Sequence, residues 1–161
     1  MEPSLSGVLG LMQLTDSALP TGAFSHSLGF ETYMHAEQLE DRESFSAWLE
    51  MFVDQQLTHT DALAVRLVYA AEDFERVEDL DDLVTVQALP RQIREGGMTM
   101  GGRLLSIGAR SYPGEWVQRY EQGVVEERLH GHQATVWGVL ARELGVPEDT
   151  AVASHVYATV I

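Results

Sequence analysis

Apolar residues recur at three- and four-residue intervals along nearly the whole chain, and no segment shows the two-residue alternation of a half-buried strand. Phe45, Trp48, Leu49, Phe52, Val53 and Leu57 form one such stripe behind Asp41, a residue suited to accept the first free N–H groups of a helix. Leu63, Leu67, Ala70, Ala71 and Phe74 repeat the pattern after Thr60 and Asp61. Further helices are predicted from about Leu80 to Leu89, Gln92 to Arg110, Glu115 to Arg128, His132 to Leu144, and from Glu148 onward. Pro90, Tyr112-Pro113-Gly114, Gly131 and Gly145-Val146-Pro147 fall at their borders, where such residues start or stop helices. The spacing therefore predicts an all-α fold, a single-domain bundle of short and medium helices. At 161 residues and 45% hydrophobic content, the chain is long enough for one buried core.

Charge narrows the chemistry. The formal net charge is −15, every basic residue is an arginine, and there is no lysine. A lysine Schiff base, a pyridoxal phosphate site and a P-loop lysine are excluded together. Cysteine is also absent, which removes thiolate nucleophiles, cysteine zinc sites and disulfides. So acidic a surface repels phosphate backbones and anionic lipid, so nucleic acid and membrane are not expected partners. The opening MEPSLSGVLGLMQL is acidic and too short in its apolar run for a signal peptide, and no segment is apolar enough to span a bilayer. A soluble, cytoplasmic protein is expected.

Residues Asp16 to Glu31, DSALPTGAFSHSLGFE, join a Pro-Gly turn to a cluster of hydroxyl, imidazole and carboxylate groups: Ser25, His26, Ser27 and Glu31. A serine hydrolase needs serine, imidazole and carboxylate in mutual reach, but sequence neighbours rarely point at one another and GAFSH lacks the second glycine of a nucleophile elbow. The plainer expectation is that Ser25 or Ser27 caps a helix carrying Leu28 to Ala36, with Glu31 and His35 on one face. His130-Gly131-His132 suggests a metal site, yet its two imidazoles do not share a helical face and spacing supplies no third ligand, so a local structural role is expected. Gly96-Gly97 and Gly101-Gly102 bracket Met98 to Met100 without the order of a phosphate loop. Glycine costs a helix about 1 kcal/mol relative to alanine, so close helix approach at Gly97, Gly101 and Gly138 is the expected reason for them, with Met98 and Met100 packing alongside.

The order Leu-Pro-x-Gly-x-Phe-Ser-His-Ser-x-Gly-x-Glu over residues 19–31 resembles the N-terminal signature of the UreF family of urease accessory proteins. REGGMTMGGRLL (Arg94 to Leu105) and GHQATVWGVLARELGV (Gly131 to Val146) resemble two later segments of that family; Phe30 and Gly97 depart from its usual Leu and small hydroxyl residue. The resemblance implies an all-α homodimer that joins UreH (also called UreD) and the GTPase UreG on the urease apoprotein, and regulates the GTP-dependent insertion of nickel. It implies a non-catalytic factor that binds no cofactor directly, nickel and GTP being handled by its partners. The residues it marks for partner binding are Pro20, Gly22, Phe24, Ser25, His26, Ser27, Gly29, Glu31, Arg94 and Arg103, with Glu31 foremost. Family members continue past the apolar run Val152 to Ile161, so a C-terminal portion is expected to be missing from a 1–161 helical domain. A small helical hydrolase or metal carrier using Ser25, His26 and Glu31 is the alternative.

Overall fold

A computed structural model describes residues 4–22 and 29–161; Phe24, Ser25, His26 and Ser27 lie outside the described residues. Helices run in the order α1 (Leu5–Leu14), α2 (Phe30–His35), α3 (Arg42–Met51), α4 (Asp61–Ala70), α5 (Glu75–Gln87), α6 (Arg91–Ser111), α7 (Glu115–Val125), α8 (Gln133–Glu143) and α9 (Glu148–Val160). Among the described residues there is no strand. The all-α expectation is met, and the borders of α6 to α9 fall close to those read from proline and glycine. The start of α1 adds a helix that the sequence reading passed over: Ser4 caps it by accepting the Gly7 N–H at 3.0 Å.

The centre of the bundle is α8. Every residue from Ala134 to Ala141 is buried, which is the pattern of a helix enclosed on all sides. It packs mainly against α4 and α6, with α7 and α9 completing the enclosure. Glycines set the spacing, as expected. A Cβ on Gly138 would come within 2.9 Å of the Val68 side chain on α4, and one on Gly108 within 2.4 Å of Leu140. On α6, a Cβ at Gly101 would lie 2.0 Å from the Gly131 carbonyl oxygen, and one at Gly97 would lie 2.8 Å from Nε2 of His132. The start of α8 thus rests directly on the α6 backbone. Met100 is buried beside it and Met98 half-buried.

Two side chains on α8 close the ends of neighbouring helices. Arg142 donates to the carbonyls of Val68 (2.9 Å) and Ala71 (3.0 Å) at the C-terminal end of α4, and its guanidinium lies 3.8 Å from the Trp116 ring centroid. Glu143 accepts the backbone N–H of Trp116 at 2.7 Å in the first turn of α7.

Asp41 caps α3 as expected, accepting the Ser44 N–H at 2.8 Å in a reciprocal capping box. The stripe behind it is not one uniform α-helix. At Phe52 the helix widens into a π-helical turn (Phe52–Leu57), with the Thr58 N–H reaching the Val53 carbonyl at 3.0 Å. The widening turns Phe52 and Leu57 inward, where both are buried.

Two expectations need correction. Leu63 and Leu67 were read as the buried stripe of α4, but they are exposed, and α4 ends at Ala70. Its buried positions are Ala62, Ala64, Val65 and Val68, because the close approach of α8 at Gly138 admits only small or β-branched side chains there. Ala71 and Phe74 are buried, but in the link that follows. The helix expected over Leu28 to Ala36 is shorter, Phe30–His35. Its N-cap is Gly29 at φ 94°, and no side chain caps it.

Candidate functional site

The marked residues meet, in part, around a cleft between α2 and α6. Gly22, Gly29, Glu31, Thr32 and His35 line one side, and Ile93, Glu95, Gly96, Thr99, Met100 and Arg103 the other, enclosing about 820 Å³. Glu31 lies in the first turn of α2, where a carboxylate suits the helix dipole, and is exposed. Arg103 reaches back from α6 to donate to the Thr21 carbonyl at 3.3 Å. Its Nη1 occupies the place where a Gly22 Cβ would stand, 2.1 Å away, and Gly22 has φ 85°, so only glycine fits both the turn and the arginine.

Other marked residues fall elsewhere. Pro20 lines a separate hollow of about 270 Å³ with Leu104, Gln133 and Trp137. Arg94 donates to the Ala88 carbonyl at 2.9 Å and closes the end of α5 rather than facing the cleft. Gly29, Glu31, Gly22 and Arg103 are therefore brought together, while Pro20 and Arg94 are not.

A second polar cluster lies beneath this region. Asp81 on α5 is fully buried and accepts the N–H groups of His130 (2.6 Å), Gly131 (3.2 Å) and His132 (3.0 Å), together with the Tyr120 hydroxyl (2.5 Å). One carboxylate thus shapes the whole His-Gly-His loop, with Gly131 at φ 74°. Burial and the Asp81 charge push the Tyr120 hydroxyl well above its ordinary pKa, which keeps it a donor. The local role expected of His130 and His132 is thereby given a cause. Sequence reasoning missed Asp81, although it shares the phase of Val77, Leu80 and Val84, a signal that it faces inward.

His132 caps α8, its Nδ1 accepting the Ala134 N–H at 3.4 Å, and burial lowers its pKa below the ordinary 6.5. In the neutral ring the proton then sits on Nε2. Asp61, at the first position of α4, accepts the Thr60 hydroxyl at 2.8 Å, and its Oδ1 lies 3.7 Å from Nε2 of the buried His155. Burial opposes ionisation of Asp61, but His155, His132 and the Thr60 hydroxyl outweigh it and hold the carboxyl at about 2. Among the described residues no group of three or more His, Asp or Glu side chains is arranged to hold a metal ion, and no helix is long and apolar enough to cross a membrane.

The UreF family model matches residues 39–161, more than three quarters of the chain. A urease accessory protein UreF of Kocuria rhizophila is 90% identical over 161 residues, covering 100% of this chain and 69% of the relative. The corresponding protein of Corynebacterium efficiens is 52% identical over 155 residues, 96% of this chain and 68% of its own length. That of Paenarthrobacter aurescens is 47% identical over 152 residues, 94% of this chain and 67% of its own. The matches to the three relatives extend across the Pro-Gly turn, the cleft residues and the α8 core alike, whereas the family model begins after the turn and α2. The chain belongs to the UreF family of urease accessory proteins.

Proposed function

We propose that this protein is a non-catalytic adaptor in urease maturation, one that bridges UreH/UreD and the GTPase UreG and regulates GTP-dependent nickel insertion into the urease apoprotein. The observation that carries the reading is the α2–α6 cleft, where Glu31 on one wall faces a surface of mixed polarity on the other, beside a turn pinned by Arg103. A shallow cleft of this kind suits protein contact. Without lysine or a phosphate-binding loop order, the GTP is assigned to the partner, and nickel is cargo handled by partners. A homodimer that buries exposed apolar helix faces belongs to the same reading.

The test is retention of the GTPase and of UreH/UreD on the immobilised protein at two salt concentrations, with urease activation as readout. Binding that weakens as screening rises is expected of an acidic partner. If the protein retains neither partner and leaves urease activation unchanged, the reading fails.

A further inference from the structure

A chamber of about 380 Å³ opens between the π-helical turn, α5 and α6, on the far side of Ile93 and Met100 from the cleft. Phe52, Leu57, Val84, Ile93 and Met100 supply apolar walls, and the polar lining comes from Asp61 and His132 with the neutral side chains of Gln56, Thr60, Gln87, Gln133 and Thr159. This is the composition of a binding pocket, apolar surface with a few placed polar groups.

The polar lining is incompletely matched from within the chain. Asp61 Oδ2 takes the Thr60 hydroxyl, while Nε2 of His155 lies 3.7 Å from Oδ1, beyond hydrogen-bond reach. His155 is 1% exposed, and neither of its ring nitrogens has a hydrogen-bond partner. Among the described residues no arginine pairs with Asp61, and the sequence holds no lysine to do so. An ionised carboxylate in an apolar recess, with no donor within hydrogen-bond distance of its Oδ1, leaves room for an incoming cation on an apolar stem. Pro90, Ile93 and Met100 line both the chamber and the cleft, so a chain lying in the cleft passes the chamber mouth. The cleft adds Glu31 and Glu95 to the negative charge along that path.

We propose that the Asp61 chamber receives one basic side chain, a lysine or arginine, carried on an apolar segment of a partner protein. The proposal rests on the adaptor reading above and names the chemistry of the partner it docks. A second copy of this chain, which carries arginine but no lysine, is the other occupant that the test separates.

The test titrates n-butylguanidinium into the protein carrying ¹⁵N-labelled histidine and follows the ring signals of His132 and His155, with His59 as the reference. Saturable shifts at His132 and His155 are expected. They should weaken about tenfold or more in Asp61→Asn, which removes the charge-assisted hydrogen bond. A loss of similar size is expected in Ala88→Phe, which fills the chamber and leaves Asp61 in place. Absence of a saturable shift, or equal shifts in wild type and both variants, overturns the chamber as a cation site. The same variants are then compared for retention of the GTPase and UreH/UreD, where at least one partner should be lost about tenfold. Undiminished retention of both partners overturns the partner assignment, as does a dimer that butylguanidinium dissociates. A wild-type protein that binds butylguanidinium but retains neither partner overturns the adaptor reading instead.

Discussion

Trp137 and Trp48 each pack against other rings but are held in different ways. Trp137 is 2% exposed, its indole N–H donates to the Ala151 carbonyl at 3.0 Å, and its ring lies 5.4 Å from that of His155. Trp48 stacks on Phe52 at 5.2 Å with Phe30 and Tyr33 beside it, yet its buried indole N–H has no hydrogen-bond partner. Around it Tyr33 is 40% and Phe45 43% exposed, and neither α2 nor α3 buries a residue fully. The segment 29–57 also carries seven acidic residues, Glu31, Glu37, Glu40, Asp41, Glu43, Glu50 and Asp54, against Arg42 alone. The core fixes its tryptophan through a polar handle and complete enclosure. The α2–α3 arm keeps its rings in mutual contact with one side open to water, an arrangement suited to repacking against another molecule.

Truncation of the two tryptophans gives the widest contrast. Trp137→Ala should cost about 3–5 kcal/mol in urea denaturation, whereas Trp48→Ala should cost less than about 1.5 kcal/mol, because the arm can collapse onto the space. Equal losses would erase the distinction between core and arm. Gly101→Val should cost about 3 kcal/mol, since its Cβ meets the backbone of Gly131 and Gln133 rather than a movable side chain. A loss below about 1 kcal/mol would mean that α6 and the loop before α8 separate easily.

Acid should reach the core in two stages. The folded pKa of His132 is depressed below 6.5, so the unfolded chain takes up a proton that the folded one resists. Its contribution to stability is therefore full above about pH 6.5 and is lost as pH falls below that value, with a slope of at most about 1.4 kcal/mol per pH unit. Asp61, depressed from 3.8 to about 2, contributes fully above about pH 4 and loses that contribution as pH falls toward 2. His132→Asn, which keeps a capping side chain, should flatten the first limb alone, and Asp61→Asn the second. The smallest expected change is in the arm. Glu31→Ala should cost at most about 0.3–1 kcal/mol while lowering GTPase retention and urease activation. Arg66→Ala, which breaks exposed pairs with Glu148 and Asp149, serves as the control and should leave both functions intact.

Local rules carried much of the fold in the sequence. Asp41 was readable as a cap because its partner lies three residues away, and Gly97, Gly101 and Gly138 were readable as contact points because glycine in a helix interior asks for a reason. The inward face of α4 was not readable. Leu63 and Leu67 are its larger residues, but the gap left by α8 admits Ala64 and Val68, a fact set by a helix some seventy residues away. Asp81 and Asp61 were hidden for a related reason. In DLDDL and THTDAL nothing local separates a buried carboxylate from an exposed neighbour, and only helical phase at Asp81 gave a hint. Of the site, Glu31 and Arg103 were legible through the motifs, but their sharing of one cleft depends on how α2 lies over α6.

The hold of Asp81 on three successive amides also bears on how the molecule opens. Loop amides ordinarily exchange with solvent quickly, but those of His130, Gly131 and His132 end on a buried carboxylate carried by α5. They should exchange no faster than the helical amides of α5, and be released together with it. The loop and α5, about fifty residues apart in the chain, then form a single opening unit. Any motion that carries α5 away from the bundle uncovers the start of α8 in the same event.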